Sequence, residues 1–196
     1  MVKSRWLSQS FEKVLHDLLS WFRHTHTRGL IIGGVAAAFL GRPRLTEDVD
    51  AVVLVAPDQW EKFLFSGKKF GFIPRISDPI SFAKRSRMLL LKHKKTGVEV
   101  DISLGMLPFE EECVKRKIIV KIGNLSIPLP MVEDLIIMKA VAHRRQDLAD
   151  IETLLAVNPK LNQKRIRKWV KEFSIVLDMP EIYRDMKDLL RQKPRN

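Results

Sequence analysis

The chain has 196 residues, of which 45% are hydrophobic, a formal net charge of +12 and a sequence pI of about 10.0. This length fits one domain, or one domain with a small helical extension, and the apolar fraction is sufficient for a full core. The positive charge favours a phosphate-rich or acidic partner, with nucleic acid first and nucleotide next. A basic protein surface without such a partner would give the same charge balance.

Three further features concern the compartment. Cys113 is the single cysteine of the sequence, which excludes an intramolecular disulfide and is typical of a reducing compartment. Residues 1–19 carry charges throughout and lack the apolar segment of a signal peptide. The longest nearly uncharged run, residues 29–41, is shorter than the roughly 20 residues that a bilayer span requires. We therefore expect a cytoplasmic protein with no membrane partner.

The first predicted element is an amphipathic helix. Residues 4–24 repeat apolar side chains at helical spacing, so that one face is apolar. We expect Ser4 to be its N-cap, because Ser8 and Ser10 lie inside the periodic run.

Residues 29–55 predict a strand, a glycine turn, a helix, a loop and a second strand. Gly33-Gly34 ends the first apolar run, and Asp48-Val49-Asp50 opens the second. Because alternate side chains of a strand share a face, Asp48 and Asp50 lie side by side and repel each other unless a cation or proton lies between them. Hard oxygen ligands beside a turn that can approach phosphate predict a magnesium–nucleotide site. A plain turn and a solvated strand end are the simpler interpretation of each part taken alone.

The order of these features resembles the nucleotidyltransferase superfamily, whose fold is that of DNA polymerase beta. The family places Asp-x-Asp in an apolar strand about a dozen residues after a Gly-Gly or Gly-Ser pair, and thirteen residues separate the two here. The resemblance implies an α+β fold, with a mixed β-sheet flanked by helices and a C-terminal helical extension. It also implies a third carboxylate from a later strand, which would be Asp101. We expect a core with the N-terminal helix at 1–130 and a helical region at 131–196.

The next segment predicts a short helix at 57–66 and a loop-rich stretch at 68–87. This stretch combines basic residues, Arg75 among them, with several phenylalanines. Basic side chains interleaved with aromatic ones can bind a nucleotide base or RNA. Buried aromatic rings under a solvated basic exterior are the alternative, which general burial statistics favour.

Residues 88–91 and 98–102 flank a turn at Gly97 and predict a β-hairpin. In its second strand, apolar residues alternate with Glu99, Asp101 and Ser103, so these three share a polar face. We expect Asp101 to point toward Asp48 and Asp50, and leave open whether Glu99 contributes to the site.

The remaining sequence predicts a second hairpin and a run of helices. Gly123-Asn124 is a two-residue hairpin signal, preceded by a short acidic helix. The helices that follow cover 131–143, a segment ending before Asn158-Pro159, 162–177 and 180–191. The helix at 162–177 is basic and carries Trp169; a solvated face is its default interpretation and an RNA-facing surface the alternative.

Residues 139–155 resemble a second signature, found in a nucleotidyltransferase branch that includes abortive-infection type toxins. Lys139, Arg144, Asp147 and Asp150 occupy the matching positions. The resemblance implies that Lys139, Arg144 and Asp147 belong to the nucleotide site, and it leaves Asp150 open. It also implies an antitoxin protein as a partner. Helix capping and salt bridging within this segment are the alternative.

The chemistry that the resemblance implies is transfer of an NMP group from an NTP to an acceptor hydroxyl, with release of pyrophosphate. Asp48, Asp50 and Asp101 would be catalytic and would bind Mg²⁺, with Mn²⁺ as an alternative. The glycine turn and its neighbours would bind the nucleotide, through Gly33, Gly34, Arg44 and Thr46. The acceptor stays open between RNA such as tRNA, a protein and a small molecule.

Two other functions compete with transfer. A non-catalytic nucleic-acid-binding module on the same fold would use the basic surface but would gain nothing from three carboxylates. A metal-dependent nuclease would use the carboxylates but would not need the glycine pair.

Overall fold

A computed structural model describes residues 8–191 of the chain, which form two compact units. The first unit comprises the described residues up to Val35 together with Arg44–Leu129. The second comprises Ala36–Pro43 together with the described residues from Pro130 onward. Among residues 8–191, no helix is both long enough and apolar enough to cross a membrane.

A five-stranded mixed sheet forms the framework of the first unit within the described residues. Its strands are β1 (Arg28–Ile31), β2 (Asp48–Leu54), β3 (Phe72–Pro74), β4 (Met88–His93) and β5 (Glu99–Leu104). The strand order is β1-β2-β5-β4-β3, in which β2 and β5 are parallel and the other pairs are antiparallel. A separate antiparallel hairpin joins β6 (Ile118–Ile122) to β7 (Leu125–Leu129). Both predicted hairpins, β4–β5 and β6–β7, are confirmed.

Helices accompany the sheet in the first unit and make up the second. They are α1 (Gln9–His24), α2 (Gly33–Leu40), α3 (Trp60–Gly67), α4 (Pro79–Ser86), α5 (Pro108–Arg116), α6 (Val132–Ala142), α7 (Arg145–Val157), α8 (Gln163–Val176) and α9 (Pro180–Arg191). Helix α2 begins in the first unit and continues in the second, and α6–α9 belong to the second. A mixed sheet with flanking helices confirms the predicted α+β class.

The N-cap of α1 is Ser8, so the rejection of this residue as a cap was wrong. Its backbone is extended, and its Oγ accepts a hydrogen bond from the backbone N–H of Phe11 at 3.3 Å. A serine in this conformation satisfies an amide that the first helical turn leaves without a partner, which favours a helix start there over continuation. Ser4 and the predicted start of the helix lie outside the described residues.

The stretch at 68–87 is more regular than the loop that we predicted. It contains a 3₁₀ turn at Lys68–Phe70, strand β3 and helix α4. Asp78 caps α4, because its Oδ1 accepts from the backbone N–H of Ser81 at 3.1 Å, and Pro79 occupies the first helical turn. An aspartate followed by proline is a helix-start signal, and the predicted loop did not take it into account.

Aromatic side chains pack α1 against α3 and β3 in the core of the first unit. Trp21 is fully buried, and its ring stacks on Phe63 at a centroid distance of 4.3 Å and on Phe72 at 5.4 Å. Its indole Nε1 donates to Oγ of Ser66 at 2.8 Å, so the polar end of the ring is also satisfied. Phe72 therefore serves the core, as the burial statistics favoured.

Candidate active site

The parallel register of β2 and β5 places four acidic residues on one face of the sheet. Asp48 is paired with Glu99, and Asp50 with Asp101. The valines between them, one on each strand, are fully buried on the opposite face. Paired residues of adjacent strands point to the same side, so the four carboxyl groups crowd together. The structure thus brings Asp101 beside the Asp48–Asp50 pair.

The glycine pair lies directly against these carboxylates. Gly33, at the start of α2, has a φ of +62°, and a Cβ built on it would lie 1.8 Å from Oδ2 of Asp50. A Cβ on Gly34 would lie 2.5 Å from Oγ1 of Thr46 and 3.3 Å from Nη2 of Arg44. Gly33 is required both by its left-handed backbone and by the close approach. The two glycines are the first two residues of α2, so the predicted glycine turn is the first turn of this helix.

The loop before β2 contributes two further predicted residues to this corner. The Thr46 hydroxyl donates to Oδ1 of Asp48 at 3.0 Å, which orients the first carboxylate. Nη1 of Arg44 donates to the backbone carbonyl of Leu45 at 3.1 Å, while its Nη2 lies near Gly34. All of the predicted residues of the first unit are therefore neighbours around the start of α2 and β2 and the facing part of β5.

Arg75 is a residue of this face that we did not predict from the sequence. Its Nη1 donates to Oε2 of Glu99, and its Nη2 donates to Oδ1 of Asp101. Arg75 directly follows β3, and its backbone N–H donates to the carbonyl of Leu90 in β4 at 2.9 Å. Since Leu90 is the register partner of Asp101, the side chain spans β4 to reach β5. The only sequence signal was membership of a basic cluster; the strand order, which creates the contact, is not readable locally.

Opposing effects act on the Asp101 carboxyl. Burial is the largest and raises its pKa, the guanidinium of Arg75 acts against this, and the charges of Asp48 and Glu99 raise the pKa further. The net shift is upward from the ordinary value of 3.8. The pKa of Asp101 thus stays above the ordinary value even with an arginine in contact, and a bound cation would favour the ionised form of this carboxyl.

The donor chemistry of the face fits a hard divalent cation, because carboxylate oxygens are the ligands that Mg²⁺ takes from proteins. In the structure, however, the positive charge beside Glu99 and Asp101 comes from Arg75. Within residues 8–191, no group of three or more His, Cys, Asp or Glu side chains is arranged to hold a metal ion. The metal-binding role of Asp48, Asp50 and Asp101 therefore stays a prediction.

The second predicted set forms a buried ionic cluster within the second unit. Nζ of Lys139 donates to Oδ1 of Asp147 at 3.0 Å and lies 2.7 Å from Oδ2 of Asp150. Arg144 precedes α7, and its Nε donates to Oδ2 of Asp147 at 2.6 Å. Lys139 is 4% exposed and Asp147 is 2% exposed, so their pair is interior, whereas the Arg144 side chain is 76% exposed. These are the capping and salt-bridging contacts of the alternative interpretation, and the nucleotide-binding role of Lys139, Arg144 and Asp147 stays a prediction.

Comparison with known proteins gives structural matches only. A scan against protein-family models found no match, and a search of curated proteins found none either. Among solved structures, the antibiotic-resistance factor ANT(2'')-Ia matches at 11% identity and a TM-score of 0.61, over 89% of this chain and 97% of that one.

Two other solved structures give the same result. The lincosamide antibiotic adenylyltransferase LnuA, bound to lincomycin, matches at 14% identity and a TM-score of 0.53, over 77% of this chain and 98% of its own. An antigenic nucleotidyltransferase-like protein from Paracoccidioides brasiliensis matches at 17% identity and a TM-score of 0.55, over 92% and 94%. At these identities the matches establish the fold.

The chain therefore has the nucleotidyltransferase fold, and the resemblance detected in the sequence is confirmed at that level. The acidic face and the glycine pair lie where that resemblance required them, on β2, β5 and the start of α2. The narrower resemblance to the toxin branch stays a prediction.

The ionic cluster of the second unit makes its stability depend on pH. Burial acts to raise the pKa of Asp147, but hydrogen bonds from Arg144 and Lys139 outweigh it and hold the pKa below the ordinary value of 3.8. A carboxyl with a depressed pKa in the folded state stabilises the fold above its unfolded pKa, and this contribution is lost as the pH falls through the folded pKa. Asp147→Asn should therefore lower the free energy of unfolding most at neutral pH.

Urea unfolding of both proteins between pH 7 and pH 3 measures this effect. The difference in the free energy of unfolding between wild type and Asp147→Asn should become smaller as the pH falls below the ordinary aspartate pKa. Asp188→Asn is the matched control, since that side chain is 61% exposed in an i,i+3 pair and its removal should matter little. If the loss of unfolding free energy in Asp147→Asn were the same at every pH measured, the lowered pKa of Asp147 would be contradicted.

Proposed function

We propose that this chain is a metal-dependent nucleotidyltransferase, which transfers an NMP group from an NTP to an acceptor hydroxyl. The observation that carries the proposal is the β2–β5 register, which sets Asp48, Asp50 and Asp101 on one face and against the glycine pair. The shared fold supports it: one matching structure is an antibiotic adenylyltransferase, and another holds adenylyl-2''-tobramycin.

In this proposal Asp48, Asp50 and Asp101 would hold Mg²⁺, or Mn²⁺ in its place. A divalent ion held there would supply positive charge that stabilises the charge developing in the transfer. Asp101 accepts the proton of the acceptor hydroxyl.

The start of α2 binds the triphosphate. Without side chains at Gly33 and Gly34, phosphate oxygens can approach the backbone N–H groups of the first helical turn, which have no partner within the helix. Arg44 adds a positive charge and Thr46 a hydroxyl, both beside Gly34. Thr46 also links the phosphate site to the metal site, because its hydroxyl donates to Asp48.

On the strength of the sequence signature, we also propose a nucleotide-binding role for Lys139, Arg144 and Asp147 of the second unit. Lys139 and Asp147 are held in place by their mutual ion pair, and the Arg144 side chain is 76% exposed. Whether Asp150 contributes beyond its ion pair with Lys139 is left open.

The net charge of +12 favours RNA, including tRNA, as the acceptor over a protein or a small molecule. The toxin-branch signature adds the proposal that the chain is the toxin of a toxin–antitoxin pair, with an antitoxin protein as partner. A cytoplasmic location is part of the same proposal.

Transfer is tested with purified protein, Mg²⁺ or Mn²⁺, each α-labelled NTP and a total RNA pool. Label should appear in RNA, in the protein or in a small molecule. The double variant Asp48→Asn/Asp50→Asn should reduce transfer by at least ~100-fold, with a Tm near that of wild type because both groups belong to a repulsive cluster.

The matched control for this assay is Asp58→Asn/Glu61→Gln, which removes two exposed carboxylates from the same unit and should keep full transfer. No transfer by wild type, together with salt-sensitive RNA binding that the double variant retains, would contradict the proposal and favour the non-catalytic binding module.

A second variant tests the glycine pair. Gly33→Ala should lower NTP affinity and transfer together, because the new Cβ collides with Oδ2 of Asp50 and displaces that carboxylate. The control is Gly123→Ala: that residue also has a positive φ, +54°, but a Cβ there meets no atom within 4 Å.

Both alanine variants carry the same kind of backbone strain, so the comparison isolates the collision. NTP affinity and kcat/KM are measured beside the Tm of each protein. Equal activities of the two variants would show that the contact between Gly33 and Asp50 has no part in the reaction.

A further inference from the structure

We propose that Arg75 is a positioning residue that competes with the divalent cation for Asp101. The guanidinium group and the ion are alternative occupants of the same carboxylate, so the side chain must leave Asp101 for the ion to bind. This inference rests on the proposed function, since it concerns the same acidic face.

The first observation is the fork that Arg75 makes. Its two terminal nitrogens donate to two different carboxylates, Nη1 to Glu99 and Nη2 to Asp101. The Arg75 side chain is 23% exposed and that of Asp101 is 28% exposed, so the pair is partly withdrawn from water. Charge-assisted hydrogen bonds in such a position are stronger than those of an exposed pair. The fork therefore fixes Asp101, whereas Glu99, whose side chain is 53% exposed, is held less firmly.

The second observation concerns where a cation would have to sit. Asp101 is flanked by Arg75 on one side and, through the β2–β5 register, by Asp50 on the other. A divalent ion shared between Asp50 and Asp101 would lie beside the Arg75 guanidinium, and the two positive charges would repel each other. In addition, Oδ1 of Asp101 already accepts a hydrogen bond from Arg75. Occupation of Asp101 by both cations is thus disfavoured by charge, and Arg75 leaves only Oδ2 without this contact.

The third observation is that Arg75 is not fully satisfied where it lies. Its Nε is buried and has no hydrogen-bond partner among residues 8–191. A buried donor without an acceptor costs free energy, which the two carboxylates offset. Once a metal ion neutralises those carboxylates, that compensation is lost. Because Arg75 directly follows β3, the edge strand of the sheet, its side chain can withdraw over β4 toward the edge of the sheet.

This arrangement predicts two opposite effects of removing the guanidinium. The protein loses the ion pair that relieves repulsion between Glu99, Asp101 and Asp48, so its Tm without metal should fall. The carboxylates lose their competitor, so their affinity for a divalent cation should rise. A residue with a structural role alone would show the first effect without the second.

The experiment measures Mn²⁺ affinity directly, by electron paramagnetic resonance titration without nucleotide. Arg75→Met should bind Mn²⁺ about tenfold more tightly than wild type, within the usual range for coupled ligands. Arg75→Lys should fall between the two, because a lysine keeps the charge but cannot fork to both carboxylates. The lysine variant also retains a cation on the face, so it serves where the methionine variant fails to fold.

Arg87→Met is the matched control. It removes one positive charge from the same unit, but Arg87 pairs with Glu110 at 3.3 Å, and its backbone carbonyl accepts from the N–H of Leu104, at the opposite end of β5. Its Mn²⁺ affinity should equal that of wild type. Adding Asp48→Asn/Asp50→Asn to Arg75→Met should abolish the gain, which places the ion on the acidic face.

The outcomes separate this inference from the proposed function. Unchanged or weaker Mn²⁺ affinity in both Arg75 variants, with wild-type binding intact, overturns the competition and leaves the metal-dependent function standing. An equal gain in Arg87→Met also overturns it, since net charge would then explain the effect. Failure of wild type and all variants to bind Mn²⁺ at millimolar concentration overturns the competition and the metal-dependent function together.

Discussion

Repulsion between carboxylates held on one face of a sheet is the constraint on which the rest of this site depends. The parallel pairing of β2 with β5 sets Asp48 beside Glu99 and Asp50 beside Asp101. The register cannot slip to relieve the repulsion, because a shift of one residue would turn the carboxylates into the core and the buried valines toward the surface. The buried apolar face of the sheet thus fixes the positions of the carboxylates. Positive charge from outside β2 and β5 must therefore relieve their repulsion.

Three features of the first unit reduce the repulsion between these carboxylates. Gly33 gives Asp50 room that any side chain would take, and it begins a helix whose positive end faces the acidic strand. Thr46 donates to Asp48, and Arg75 donates to Glu99 and Asp101. Burial, with a smaller effect from the charges of Asp48 and Glu99, still holds the pKa of Asp101 above its ordinary value. The crowding of the four carboxyl groups is the physical basis for proposing a divalent ion, for which Arg75 would compete at Asp101.

Much of this arrangement could be predicted from the sequence because it depends on local periodicity. Alternation along β2 and β5 identified which side chains share a face, and the spacing of Gly33 from Asp48 identified the strand–helix–strand unit. Arg75 could not be predicted, because its contact depends on the order of β3, β4 and β5, which a single sequence does not specify. Ser8 was missed for a different reason: apolar spacing located the helix, but the local choice of cap was decided by a single hydrogen bond.

The cluster around Lys139 marks the limit of what residue spacing can predict. Ion pairs within the second unit account for the spacing of Lys139, Arg144 and Asp147, and the resemblance to the toxin branch implies a nucleotide site from the same spacing. Residue types therefore indicated that the cluster exists, whereas its role depends on a ligand that the spacing does not name.

Locating the cation tests the metal-dependent mechanism most directly. Crystals of the protein grown with Mn²⁺ and a non-hydrolysable NTP analogue would be measured at the manganese absorption edge. We expect anomalous density between Asp48, Asp50 and Asp101, with the Arg75 guanidinium displaced from Asp101. Anomalous density elsewhere on the protein, or an acidic face on which Arg75 still bridges Glu99 and Asp101 with the nucleotide bound, would contradict this mechanism.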